Sequence, residues 1–148
     1  MIDAPVTLGL SAPAEITLPP EGRSAPVQLS LVLSNAGGTP VEVDLADTIT
    51  LERRLADGSW VRWSRGQNGV RPGPHRVAID PGGSVRVDLA ARCRNESGGF
   101  SLQGEDPTGA QWWFGPVDAG ESLLVLRAII RSGGLNLVSD AIEICIRP

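Results

Sequence analysis

The chain has 148 residues, of which 41% are hydrophobic and 20% are charged, which is typical of a globular protein rather than a disordered one. The formal net charge of −4 disfavours binding to nucleic acid or to anionic membrane surfaces, and no apolar stretch is long enough to cross a bilayer. A chain of this length fits one domain, so we expect residues 1–148 to share a single core.

The N-terminal third of the chain alternates apolar and polar residues, the pattern of β-strands with one buried face. Residues 6–10 and 15–18 are predicted to form a strand broken near Pro13. Proline cannot donate a backbone hydrogen bond to a neighbouring strand, so this strand is expected at the edge of a sheet. Residues 26–34 form a stronger strand. Its inward-facing residues are Val27, Leu29, Leu31 and Leu33.

The clearest hairpin signal lies near the middle of the chain. Residues 49–55 and 59–64 flank Asp57 and Gly58, and the Asp-Gly pair supplies the positive φ that a tight hairpin turn needs. These two segments are therefore predicted to be neighbouring antiparallel strands.

The C-terminal half contains one regular and two irregular segments. Residues 84–93 alternate as a strand, with Cys93 on the inward parity. Residues 94–120 form a long segment with an acidic centre, and we expect an inserted loop or a protruding hairpin there. Residues 123–131 are apolar on both parities, so this strand is predicted to be buried on both faces or to cover an interface.

The two cysteines fall on opposite parities. Cys93 is predicted to point inward and Cys145 outward, which favours two free thiols, one buried and one half-exposed, over a disulfide. The first five residues lack the basic and apolar regions of a secretory signal. Together these features favour a cytoplasmic protein, although a secreted or periplasmic mature form would look the same.

Four sequence units occur in an order that resembles bacterial immunoglobulin-like domains. They are residues 29–43 with Asn35, Gly38 and Pro40 at the turn, residues 51–60, residues 79–85, and residues 126–131 followed by 138–144. The resemblance covers most of the chain outside residues 94–120 and implies an all-β fold, an immunoglobulin-like antiparallel β-sandwich of about seven to nine strands. The Cys…Trp…Cys spacing of antibody domains is absent. A weaker similarity exists to the intracellular proteinase inhibitors of bacteria.

Catalytic and metal-binding patterns are missing from the sequence. The only histidine, His75, lies in a proline-flanked loop without an accompanying nucleophile motif. One histidine and two separated cysteines do not supply a zinc site. We therefore expect no enzymatic activity, no metal and no cofactor.

Charge and tryptophan are concentrated in two segments. Residues 53–76 hold six arginines against Asp57, and residues 95–121 hold five acidic residues and no arginine. These segments are either complementary docking patches or regions that are solvated or pair within one molecule. Trp60 and Trp63 have opposite parity, as do Trp112 and Trp113, so we expect one of each pair in the core.

These features lead to the prediction of a protein-binding or assembly module that presents an Arg/Trp face and the acidic, aromatic segment to a protein partner or to a second copy of the chain. The predicted contact residues are Arg53, Arg62, Trp63, Arg65, Glu105, Asp106, Trp112 and Trp113. Two alternatives stay open. One is a proteinase inhibitor acting through residues 104–109 or 66–75, and the other is a carbohydrate-binding module that uses an exposed tryptophan.

Overall fold

The computed structural model describes residues 5–46, 48–66, 74–118 and 120–148, and these ranges contain sixteen β-strands and no helix. The strands are β1 Val6–Ser11, β2 Glu15–Thr17, β3 Ser24–Val27, β4 Ser30–Asn35, β5 Val41–Asp44, β6 Ile49–Arg54, β7 Trp60–Arg62, β8 Ser64–Gly66, β9 Arg76–Ile79, β10 Ser84–Asp88, β11 Ala91–Glu96, β12 Gly99–Glu105, β13 Gln111–Asp118, β14 Leu123–Ser132, β15 Leu135–Val138 and β16 Ile142–Arg147. Across these ranges no helix has the length and apolar character that crossing a bilayer requires.

The number of strands exceeds the seven to nine predicted, and two of the additional strands arise because long predicted strands are interrupted. Residues 26–34 divide between β3 and β4, and residues 84–93 divide between β10 and β11. At the second interruption Ala90 has a φ of 46°, a left-handed conformation that an L-residue rarely adopts. The Asp88 carboxylate accepts a hydrogen bond from the Ala90 N–H at 2.9 Å and so stabilises this break.

The strands form four hydrogen-bonded sheets. Their orders are β1-β4-β10, β3-β11-β12-β13-β8, β2-β16-β14-β6-β7 with β15 also on β14, and β5-β9. Among the described strands, β2 and β16 pair in parallel and the other pairs are antiparallel. The predicted hairpin around Asp57-Gly58 is present as β6 and β7.

The three larger sheets bury their inner faces against one another. One apolar cluster contains Leu31 of the first sheet, Leu102 of the second and Leu126 of the third, all at 1% exposure or less. Sheets packed face to face around a shared apolar core define a β-sandwich, so the predicted all-β sandwich class is confirmed. The predicted alternation is also confirmed over residues 84–93, where Val87, Leu89, Ala91 and Cys93 are buried.

Residues 94–120 do not form an insertion outside the sandwich. β12 and β13 make a hairpin, as one of the two expectations had it, but β12 lies in the middle of the five-stranded sheet. Phe100, Leu102 and Phe114 from this segment are buried in the core. The segment is therefore part of the fold's interior rather than an addition to it.

Strand β14 is covered on both faces over much of its length. Leu124 and Leu126 belong to the main core, and Val125 and Ile129 on the opposite face are also buried. Leu123, at the beginning of the strand, is exposed. Burial on both faces, the first of the two predicted alternatives, is what the structure shows.

The cysteines are both free, as predicted. Cys93 is buried and Cys145 is exposed. Burial disfavours the thiolate and raises the pKa of Cys93 to about 11. Cys93 is therefore a core side chain rather than a reactive nucleophile.

Candidate binding face around Trp113

The inner side of β13 belongs to an aromatic cluster. Trp112 is 1% exposed, and its indole stacks on Trp63 with 5.2 Å between ring centroids. Phe114 meets Trp112 edge-on at 6.3 Å. Trp63 and Trp112 were predicted to contact a partner, and this prediction is wrong because both rings are enclosed by the core.

Gly104 creates the space that Trp112 occupies. The two residues are cross-strand neighbours, and the indole N–H of Trp112 donates to the Leu89 carbonyl at 3.1 Å. A Cβ at position 104 would approach the Leu89 oxygen to 2.5 Å and the indole ring to 2.7 Å. Glycine therefore lets the ring lie directly against the backbone of β12.

Asp106 is also an interior residue. Its side chain has 0% exposure and accepts a hydrogen bond from Arg65 at 2.6 Å. Further donors are the backbone N–H groups of Thr108 at 2.9 Å and Ala110 at 3.1 Å. The prediction of Asp106 as a partner contact is wrong, because the carboxylate is used to close the turn between β12 and β13.

The same turn removes one proposed inhibitory loop. Backbone hydrogen bonds join Asp106 N–H to the Ala110 carbonyl at 2.9 Å and Gly109 N–H to the Asp106 carbonyl at 3.0 Å. Gly104 and Glu105 belong to β12, and residues 106–109 form a short closed turn, so this segment is not an extended reactive loop. Of the other loop, 66–75, residues 67–73 lie outside the described ranges.

The basic and acidic segments meet within the molecule. β8 pairs with β13, which places Arg65 beside Trp112 and within reach of Asp106. Arg53, whose side chain is 11% exposed, forms an ion pair with Glu121. Pairing within one molecule, one of the two predicted alternatives, thus accounts for Arg53 and Arg65. Arg62 is exposed at the end of β7.

The outer side of the same sheet carries two rows of exposed side chains. In the first row the strand register aligns Arg92, Gln103 and Trp113, followed by Ser64. In the second row it aligns Glu105 with Gln111 and then Gly66. We call the surface formed by Ala90, Arg92, Gln103, Glu105, Gln111 and Trp113 the Trp113 face; all six residues are exposed.

Trp113 is the aromatic centre of this face. It is 41% exposed, against 1% for its neighbour Trp112. Its benzo ring lies above Gly66, where an added Cβ would come within 3.3 Å of the ring. The absence of a side chain at Gly66 thus gives the indole a resting position on the sheet surface.

The Trp113 face lines a depression of about 380 Å³. Its charged residues are Arg92 and Glu105, and its amides are those of Gln103 and Gln111. Hydrogen-bond donors and acceptors therefore surround an exposed indole, an arrangement suited to recognition. Two of the predicted contact residues, Glu105 and Trp113, belong to this face.

Sequence reasoning missed Arg92, Gln103 and Gln111. The outward parity of Arg92 follows from the alternation over residues 84–93, so its exposure was predictable. Its alignment with Trp113 depends on the register of β11, β12 and β13, which the sequence does not reveal.

The described residues do not assemble a metal site. No group of three or more histidine, cysteine or acidic side chains comes together among them. The His75 backbone N–H donates to the Asp44 carboxylate at 3.1 Å, and with the Ala46 N–H it holds the pKa of Asp44 below its usual value. This segment therefore stabilises a connection between strands.

No protein-family model and no curated protein matches the sequence. Solved structures similar to it include the ASH / PapD-like domain of human CEP192 (PapD-like domain 7), at 13% identity and a TM-score of 0.33. That alignment covers 97% of this chain and 84% of the other. A likeness this small adds nothing to the assignment of the fold. The strand pairing and the shared core alone establish an all-β sandwich.

Proposed function

We propose that this chain is a non-enzymatic protein-binding or assembly module that docks its partner on the Trp113 face. The observation that supports this most is the 41% exposure of Trp113, in the same row as Arg92, on a sheet whose other aromatic residues are enclosed. Tryptophan and arginine are the residues most enriched at binding hot spots, because each gives a large contact area with a polar handle. The strands beneath supply a support that needs no reorganisation on binding.

The chemistry of the face supports binding rather than catalysis. Its side chains are guanidinium, amide, carboxylate and indole groups, and it holds no histidine or cysteine. Within the part of the chain that the structure describes, no basic side chain forms an ion pair with Glu105, and Cys93 points to the other side of the sheet. A hydrolytic or transfer reaction would need a nucleophile and a base in contact.

A displayed library of random twelve-residue peptides, panned against the full chain, tests the proposal. We expect selected peptides to bind wild type and to lose about 30-fold in affinity on Trp113→Ala, since a hot-spot residue contributes about 2 kcal/mol. Val138→Ala is the matched control, because Val138 is an exposed apolar residue on β15, which pairs with β14 in a different sheet. The Val138→Ala variant should bind the peptides within about twofold of wild type.

Two results would contradict the proposal: a library that yields no binder, or binders that ignore Trp113→Ala. Sedimentation of wild type and Trp113→Ala over a range of concentrations shows whether a second copy of the chain binds to this face.

Carbohydrate binding is the second candidate, and one observation favours it. An exposed indole lies beside the planar polar groups of Gln103, Glu105 and Gln111, and such groups match sugar hydroxyls as donors and acceptors. A glycan array probed with the same variants separates the candidates. Glycan binding that depends on Trp113, without any Trp113-dependent peptide, would replace the protein partner with a sugar.

A further inference from the structure

The two charged residues of the Trp113 face have a fixed offset. Arg92 of β11 pairs with Gln103 of β12, and Glu105 lies two residues further along β12. The two α-carbons are therefore separated by one strand spacing, about 4.8 Å, and by two residues along the strands, about 6.8 Å. The face thus presents a positive group in the first row and a negative group in the second row, and we refer to these rows as the Arg92 level and the Glu105 level.

Neither charge has an ionic partner among the described residues. The Arg92 guanidinium donates a hydrogen bond to the Ser24 hydroxyl at 3.4 Å, and among the described residues the Glu105 carboxylate makes no hydrogen bond or ion pair. Some other charged residues are paired instead, as Arg127 is with Glu52 at 2.7 Å. Arg92 and Glu105 are consequently free to exchange water for the charges of a partner.

The two ends of the depression select opposite groups. At the Glu105 level a cationic side chain can meet both the carboxylate and the Trp113 indole, because the ring extends from the Arg92 row over Gly66 of the Glu105 row and both groups line the depression. An ion pair and a cation–π contact would then act on the same group. At the Arg92 level the planar guanidinium suits a carboxylate, which it can hold through two parallel hydrogen bonds.

The amides fit the backbone of a bound segment. Gln103 lies at the level of Arg92, and Gln111 lies at the level of Glu105. Each amide offers an N–H donor and a carbonyl acceptor, which are the groups that an extended peptide needs to meet. An extended chain places alternate side chains on one side at steps of about 6.8 Å, the same step that separates the two levels.

We infer, building on the proposed protein-binding function, that the partner presents an extended segment with a basic and an acidic residue two positions apart. The Lys or Arg of that segment lies against Glu105 and Trp113, and its Asp or Glu lies against Arg92. The partner is thus recognised by charge order as well as by the indole, and reversing the order brings like charges together.

The peptides selected on the wild-type chain test this inference directly. We expect these peptides to be enriched in pairs of one basic and one acidic residue that are two positions apart in the peptide sequence. The double variant Arg92→Glu with Glu105→Arg should weaken them at least tenfold and should recover binding to synthetic peptides in which the two charges are exchanged. Arg131→Glu with Glu143→Arg is the matched control. Both residues are exposed on β14 and β16, which lie in a different sheet, and the double exchange leaves the net charge unchanged.

The outcomes separate this inference from the proposed function. Peptides that need Trp113 but show no charge spacing, or that bind the double variant as well as wild type, overturn the inference and leave the protein-binding function standing. Enrichment of one charge alone also overturns it. Peptides that do not need Trp113 remove the proposed function itself.

Discussion

Trp112 and Trp113 are adjacent in the sequence and differ almost completely in environment. Trp112 is stacked on Trp63 and donates to the Leu89 carbonyl, while Trp113 is 41% exposed above Gly66. The alternation of side chains along β13 produces this difference, because successive residues of a strand point to opposite faces. The inner face holds the sandwich together, and the outer face is free for recognition.

The neighbouring acidic residues repeat the contrast. Asp106 is enclosed and closes a turn with Arg65, whereas Glu105 is exposed and has no ionic partner among the described residues. Residues of the same chemistry, one position apart, thus have a structural role and a surface role. Substitutions on the two faces should therefore have separable effects on stability and on binding.

The largest expected effect is that of Trp112→Ala. Removing a buried indole from a packed core costs about 3–5 kcal/mol of unfolding free energy, through lost burial and a residual cavity. Trp113→Ala should cost less than about 1 kcal/mol. Urea unfolding monitored by circular dichroism measures both. Equal destabilisation by the two variants would show that the faces are not distinct.

The second effect concerns the buried carboxylate. Asp106→Asn should lower the unfolding free energy by about 1.5–3 kcal/mol, because it weakens hydrogen bonds to a charged group and removes the ion pair between this carboxylate and Arg65. Glu105→Gln, the matched change on the exposed neighbour, should stay within about 0.5 kcal/mol of wild type. A destabilising Glu105→Gln would indicate that its carboxylate has a structural contact.

The third effect tests the space beneath Trp112. Gly104→Ala places a methyl group against the Leu89 carbonyl and the indole, and overpacking of this kind costs about 1–3 kcal/mol. The matched control is Gly115→Ala on β13, where an added Cβ meets nothing within 4 Å. Thermal unfolding of the pair gives the comparison, and a Gly104→Ala protein as stable as Gly115→Ala would contradict the packing described here.

The strands with regular alternation were the predictable part of the fold. Residues 84–93 alternate with one exception, the apolar Ala90 on the outward parity, so the buried position of Cys93 followed from periodicity. Residues 94–120 do not alternate in this way: glycines interrupt the apolar residues, and the register of β12 against β13 shifts between Phe100 and Leu102. The sequence of β12, the middle strand of the five-stranded sheet, therefore resembles that of a loop.

The candidate site was predictable only in part. Parity placed one residue of the Trp112 and Trp113 pair in the core, and the structure bears this out, but parity did not say which. The pairing of Arg53 with Glu121 and of Arg65 with Asp106 is not visible in the sequence, because the partners are 68 and 41 residues apart in the chain. Contacts of this range depend on strand pairing, which local sequence does not encode.

The smallest expected effect, that of Gly66→Ala, probes how Trp113 is held on the outer face. An added Cβ would come within 3.3 Å of the ring, so the indole must shift by a few tenths of an ångström. Because the ring is exposed on one side, we expect that shift to cost under about 0.5 kcal/mol, in contrast to Gly104→Ala, where the obstacle is a backbone carbonyl. Thermal unfolding measures the cost, and the accessibility of Trp113 to acrylamide, measured with Trp60→Phe to reduce background emission, reports the displaced ring. A Gly66→Ala variant that unfolds as readily as Gly104→Ala would mean that Trp113 is fixed in the fold rather than resting on its surface.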